Sequence, residues 1–133
     1  EQGALEWYRQ LLDMTSALPA IDARALHAFA DQFAARQVNA KWQLFTELML
    51  TLLERAAKQS SGMNVEEIFA GENEMLMRLS LQHSAEIWAT KWQQCAEQFS
   101  LAQARHLDYK QVVITFVHSI SHKEGFQLGN AAA

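Results

Sequence analysis

Along most of the chain apolar residues recur every three or four positions, and short polar breaks separate the segments that carry this spacing, the pattern of amphipathic helices. From Ala4 to about Ser16, Leu5, Tyr8, Leu12 and Thr15 share one face, and Pro19 ends the segment. Asp22 is the expected N-cap of a second helix, with Ile21 and Leu26 placed as a hydrophobic staple and Leu26, Phe29, Ala30 and Phe33 as the buried stripe. After "RQVN", the segment "AKWQLFTELMLTLLERAAK" spreads Trp42, Phe45, Leu48, Met49, Leu52, Leu53 and Ala56 over a broad arc. With Leu44 and Leu50 beyond its edges, over half the circumference is apolar, which predicts a central helix touched from several sides.

Residues 59 to 74, "QSSGMNVEEIFAGENE", hold the clustered Ser, Gly and Asn and form the longest expected connection. Within it, Asn64 and Glu67 have capping-box spacing and predict a short helix to about Ala70, interrupted by Gly71 and followed by another over Met75 to Leu81. "SAEIWATKWQQCAEQFSLAQARHL" then sets Trp88, Trp92, Cys95, Phe99 and Ala102 at steps of four, three, four and three, the seam of a long helix lying lengthwise on another.

The stretch "LDYKQVVITFVHSI" pits residue preference against pattern. Val112, Val113, Ile114 and Thr115 are β-branched and favour a strand. Strict alternation fails, however, because Val112 and Val113 are adjacent, whereas Val112, Val113, Phe116, Val117 and Ile120 recur at helical spacing behind Asp108 and Gln111 as a capping box. The β-branched residues weaken helix preference by only about tenths of a kcal/mol each, against about 1.5 kcal/mol or more for burying each side chain, so a helix is expected. His122 and Lys123 suit its C-terminal dipole, and Gly125 is expected to close it.

Composition agrees: 133 residues, half hydrophobic, with one Pro and five Gly, suit one helical domain better than a sandwich or barrel. The expected fold is all-α, a single compact bundle of about five to seven helices with no sheet. It occupies residues 1–123, and residues 124–133 form a flexible tail. Trp42, Phe45, Trp88, Trp92, Cys95, Phe99, Val113, Phe116 and Val117 are its expected core stripe. The four tryptophans read mainly as core, except Trp7, which lies off the face of Leu5, Tyr8 and Leu12 and is the candidate for exposure to a partner. The net charge is −4 and the eleven Lys and Arg are scattered, so no basic stripe marks a nucleic-acid surface. One cysteine excludes an internal disulfide, and no apolar run has transmembrane length, so a cytoplasmic setting is expected. The opening "EQGALEWYRQLL" lacks Met and is helical in spacing almost at once, as expected of one domain of a longer protein.

Candidate chemistry is sparse. His118 and His122 stand four apart on one helix face, yet no acidic or cysteine partner lies nearby at ligand spacing, and none of the five histidines follows a Glu by three residues. Cys95 falls within an apolar stripe, where a small buried hydrophobe is the usual role. No glycine-rich phosphate loop, Gly-x-Ser-x-Gly or placed carboxylate pair is present. Neither catalytic residues nor a metal or cofactor is expected.

"IWATKWQQCAEQFSLAQARHLDYKQVVITFVHSI", together with the upstream "NAKWQLFTELMLTLLERAA", resembles the C-terminal domain of bacterial DNA polymerase III delta-prime subunits. The likeness runs from about Gly3 to His122. It rests on a long helix bearing Trp88 and Trp92, followed by Leu107, Asp108, Lys110 and Gln111 and a final apolar helix; Tyr109 stands where a basic residue is expected. The resemblance implies a collar domain of the clamp loader, the ATP-driven pentamer that places the sliding clamp on primed DNA within the DNA polymerase III holoenzyme, a transferase. Such a domain belongs to a longer AAA+ protein, is itself non-catalytic, and associates with the C-terminal domains of the tau/gamma and delta subunits. The family's zinc module and arginine finger lie in its N-terminal part, and neither a four-cysteine cluster nor Ser-Arg-Cys occurs here. It implies no direct nucleic-acid contact by this domain, no membrane, no small-molecule substrate and a bacterial cytoplasmic location. Two other readings are a ligand-sensing domain of a transcriptional regulator, with a cavity among Trp42, Phe45, Trp88 and Trp92, and a metal carrier using His118 and His122.

Overall fold

A computed structural model describes residues 2–17, 22–33, 39–105 and 108–120. Six α-helices follow in order: α1 (Gln2–Ser16), α2 (Ala23–Ala30), α3 (Asn39–Ser60), α4 (Glu72–Ser80), α5 (Ala85–Ala104) and α6 (Tyr109–Ser119). A 3₁₀ turn, Asp31–Phe33, extends α2, and there is no strand among the described residues. Among those residues no helix is long and apolar enough to cross a membrane.

The broad apolar arc of α3 makes it the central helix. Trp42, Phe45, Met49, Leu52, Leu53 and Ala56 are all buried, and α1, α4, α5 and the 3₁₀ turn pack around it. Trp42 meets Phe99 near one end of the pair and Ser60 reaches the His83 carbonyl at the other, so α3 and α5 run antiparallel. Phe99 on Phe116 and Lys91 on Ser119 likewise set α6 antiparallel to α5. Tyr8 with Glu72 and Thr15 with Gln82 lay α1 beside α4 in the same direction.

Local sequence explains several helix ends. Asp22 accepts from the Arg24 and Ala25 amides, Ser84 from Ile87 and Asp108 from Gln111, each from an extended backbone that turns into the helix. Asp31 pairs with Lys110 at 2.7 Å, bringing the start of α6 against the end of α2. At the end of α3, Gly62 at φ 86° permits a Schellman closure in which the Met63 amide donates to Lys58 and the Gly62 amide to Gln59. The segment 107–120 is helical, as its spacing predicts, with Val112, Val113, Ile114, Phe116 and Val117 buried. Pro19, Ile21, His106, Leu107, His122, Lys123, Gly125 and the expected tail at 124–133 lie outside the described residues, so the staple and the glycine stop fall there too.

Four expectations are revised. The short helix from Asn64 to Ala70 does not form: residues 63–67 are irregular, and Glu67 turns forward to accept from the Asn73 amide at 3.0 Å, capping α4 instead. With that cap, α4 starts at Glu72, three residues before the predicted Met75. Trp92 is not core: it is 41% exposed, and Lys91 takes the inward position between Trp88 and Cys95. A lysine is tolerated there because its methylene stem packs among apolar residues while its ammonium meets a carbonyl. Trp7, conversely, is half-buried, with Phe29 and Phe33 each 5.4 Å away between ring centres. Its rings continue through Phe45, Trp42 and Phe99, so one aromatic cluster ties α1, α2, α3 and α5 at this end of the bundle.

Candidate functional site

Chemistry-bearing side chains occupy two buried places and one surface. The first is Glu72, wholly buried at the start of α4. Arg55 of α3 grips it with two bonds, Nε to Oε2 at 2.6 Å and Nη2 to Oε1 at 2.8 Å. The Tyr8 hydroxyl donates to Oε2 and the Ile68 amide to Oε1 at 2.7 Å, while Arg55 also donates to the Glu66 carbonyl. Burial alone would raise the Glu72 carboxyl, but the Arg55, Tyr8 and Ile68 donors outweigh it and hold it below the usual carboxylate range. Burial, and then Glu72, push the Tyr8 hydroxyl well up, so it stays a donor. These groups are mutually satisfied and present nothing to a substrate. Their effect is to fasten α1, α3, α4 and the 61–71 connection at one point.

The second place is the C-terminus of α6. Its last carbonyls receive Lys91 Nζ on Ser119 at 3.1 Å and His83 Nε2 near Ile120 at 2.8 Å. Donors from the start of α5 and the turn before it thus satisfy carbonyls that a helix end leaves open, where its dipole favours positive charge. Trp88 holds this corner, donating Nε1 to the Ser80 carbonyl and packing its ring 4.8 Å from that of His83. Replacing Lys91 by Met keeps the stem and removes the donor, so stability is expected to fall by about 1–3 kcal/mol. Urea unfolding checks this, and an unchanged midpoint would show that the cap contributes nothing.

Cys95 of α5 is fully buried, and burial pushes its thiol up, away from the nucleophilic thiolate. His118 is exposed near the end of α6, His122 is outside the described residues, and no group of three metal-ligating side chains forms among those described. The buried tyrosine, glutamate and arginine escaped sequence reading because no motif links them. Lys91 escaped it because charge suggests surface.

The surface is the outer edge of α5. Helical spacing puts Ala85, Ala89, Trp92 and Ala96 on one face: Ala89 and Trp92 are exposed, and the other two are half-buried. Exposed Gln93, Ser100 and Gln103 lie on the same side of α5, so along that side of the helix the indole is flanked by small and uncharged residues. Such a face has little to offer a charged metabolite and much to offer an apolar protein surface. No family model, curated protein or solved structure matches the chain.

Proposed function

We propose that this chain is a non-catalytic assembly domain of the delta-prime kind, joining the clamp-loader collar through helix-to-helix contacts with the C-terminal domains of the tau/gamma and delta subunits in the bacterial cytoplasm. The resemblance, which runs from about Gly3 to His122, suggests the family. The observation that carries the assembly role is Trp92, held 41% exposed on the Ala85, Ala89 and Ala96 face of an otherwise well-anchored helix. Tryptophan is enriched at protein interfaces and among the residues that carry most of their binding energy. The inward-facing chemistry supports the same reading, since every buried charge described above acts on the fold.

The ligand-sensing alternative draws less support. Trp92 faces outward and supplies no wall to an internal cavity. Trp42, Phe45 and Phe99 fill the space between α3 and α5 with rings 5.3–5.7 Å apart. Trp92→Glu tests the proposal: assembly with the partner domains is expected to be lost, while the variant still folds and unfolds cooperatively, with a loss of stability set by the buried part of the indole. Size-exclusion chromatography of the mixed domains alongside urea unfolding reads both. Retained assembly by a folded variant would remove this face from the interface.

A further inference from the structure

Two glycines with left-handed backbone, Gly62 at φ 86° and Gly71 at φ 95°, bracket the non-helical passage from α3 to α4. A Cβ at either position would meet nothing within 4 Å, so backbone conformation alone favours glycine there, and both positions are free to absorb a change of chain direction. Between them, residues 63–70 are exposed except for Phe69, which is buried, and Val65, which is half-buried against the core. Phe69 stands edge-on to Tyr8 at 6.0 Å, with the Arg9 guanidinium 4.9 Å over its ring. Arg55 donates to the Glu66 carbonyl, the Ile68 amide to the Glu72 carboxylate, the Asn73 amide to the Glu67 carboxylate and the Glu72 amide to the Phe69 carbonyl.

The bonds that join the helices do not pass through this segment. Glu72 belongs to α4, so its pairing with Arg55 of α3 and its bond from Tyr8 of α1 survive when residues 63–70 let go. We propose that residues 63–70 form a strap that opens as one unit about Gly62 and Gly71, with Phe69 as its latch, while the helical bundle stays folded. Opening gives up one buried ring and a few hydrogen bonds, whereas global unfolding gives up the whole aromatic core. A segment with few buried apolar contacts and a largely exposed backbone is the kind that opens below the global transition. Because Glu66 and Ile68 bond directly to Arg55 and Glu72, the open strap bares these two charged side chains and, with Phe69 gone, the ring of Tyr8. The inference stands apart from the clamp-loader reading, because different elements carry it and Trp92 takes no part.

Native-state amide exchange of the whole chain, followed by NMR in rising urea below the unfolding transition, tests the strap. The Ile68, Glu72 and Asn73 amides each donate a bond that opening breaks. They are expected to share one opening equilibrium, to exchange at least about tenfold faster than buried amides of α3 and α5, and to respond only weakly to urea, since little surface is exposed. Phe69→Ala removes the latch and keeps the backbone bonds, and should speed all three together by at least about tenfold. Exchange of these amides in step with α3 and α5, with the urea dependence of global unfolding, would overturn the proposal in the native protein alone. Three unrelated opening equilibria, or a folded Phe69→Ala variant in which the three amides are unchanged, would overturn it as well.

Discussion

Glu72→Ala is expected to lower the unfolding free energy by about 3 kcal/mol or more, because removing one member of a buried ion pair strands its partners. Arg55 would lose both of its bonds to the carboxylate, Tyr8 its acceptor and the Ile68 amide its cap, all in one substitution. Arg55 keeps 16% of its side-chain surface in water, which places the loss toward the lower end of the range for such pairs. The same carboxylate makes stability pH-dependent. Its folded pKa lies below the ordinary value of 4.5, so its contribution is fully present above that value and is lost as pH falls through the folded one. Urea midpoints for the native protein and Glu72→Ala, taken from neutral pH into the acid range, should therefore converge at low pH. Parallel curves would show that Glu72 titrates alike in both states.

The second large effect is in the core. Trp42→Ala is expected to cost about 3–5 kcal/mol, out of a total that for domains of this size is about 5–15 kcal/mol. Trp42 is almost wholly buried and packs on rings from its own helix and two others: Tyr109 stacks flat on it at 4.2 Å, Phe45 lies at 5.7 Å on its own helix, and Phe99 meets it edge-on at 5.3 Å. Through Phe45 the cavity would open onto Phe33 and the 3₁₀ turn. Trp42→Phe, which keeps part of the ring contact, should recover a share of the loss. Chemical unfolding of the two variants decides it, and a cost for Trp42→Ala below about 1 kcal/mol would mean that the cluster collapses around the gap.

Tyr109, the position where the delta-prime resemblance leads a basic residue to be expected, stacks on Trp42. The neighbouring Lys110 carries its charge to Asp31.

What was legible in the sequence follows the range of the forces involved. Helices α3, α5 and α6 were readable because their burial repeats every three or four residues, and a repeat of that kind outweighs the β-branched run at Val112 to Thr115. Caps at Asp22 and Asp108 were readable because a carboxylate there reaches amides only two or three residues on. Glu67 misled for the same reason: its spacing from Asn64 fits a local box, but the amide it satisfies is Asn73, six residues later, and the bonds from Arg55 and Glu72 hold the backbone between in a non-helical path. Tyr8 and Glu72 are 64 residues apart, and no window along the chain contains both. The candidate surface was hidden by a rule of thumb. Trp92 fits the apolar spacing of the α5 seam, whereas Lys91 carries no apolar signal and turns inward to a carbonyl at the end of α6.

The assembly claim is tested most directly by the mass of the complex. Mixed with the C-terminal domains of the same organism's tau/gamma and delta subunits, the domain is expected to enter one stable hetero-oligomer by light scattering, and the Trp92→Glu protein, still folded, to remain a separate monomer. A wild-type domain that elutes as an unchanged monomer from that mixture would contradict the account.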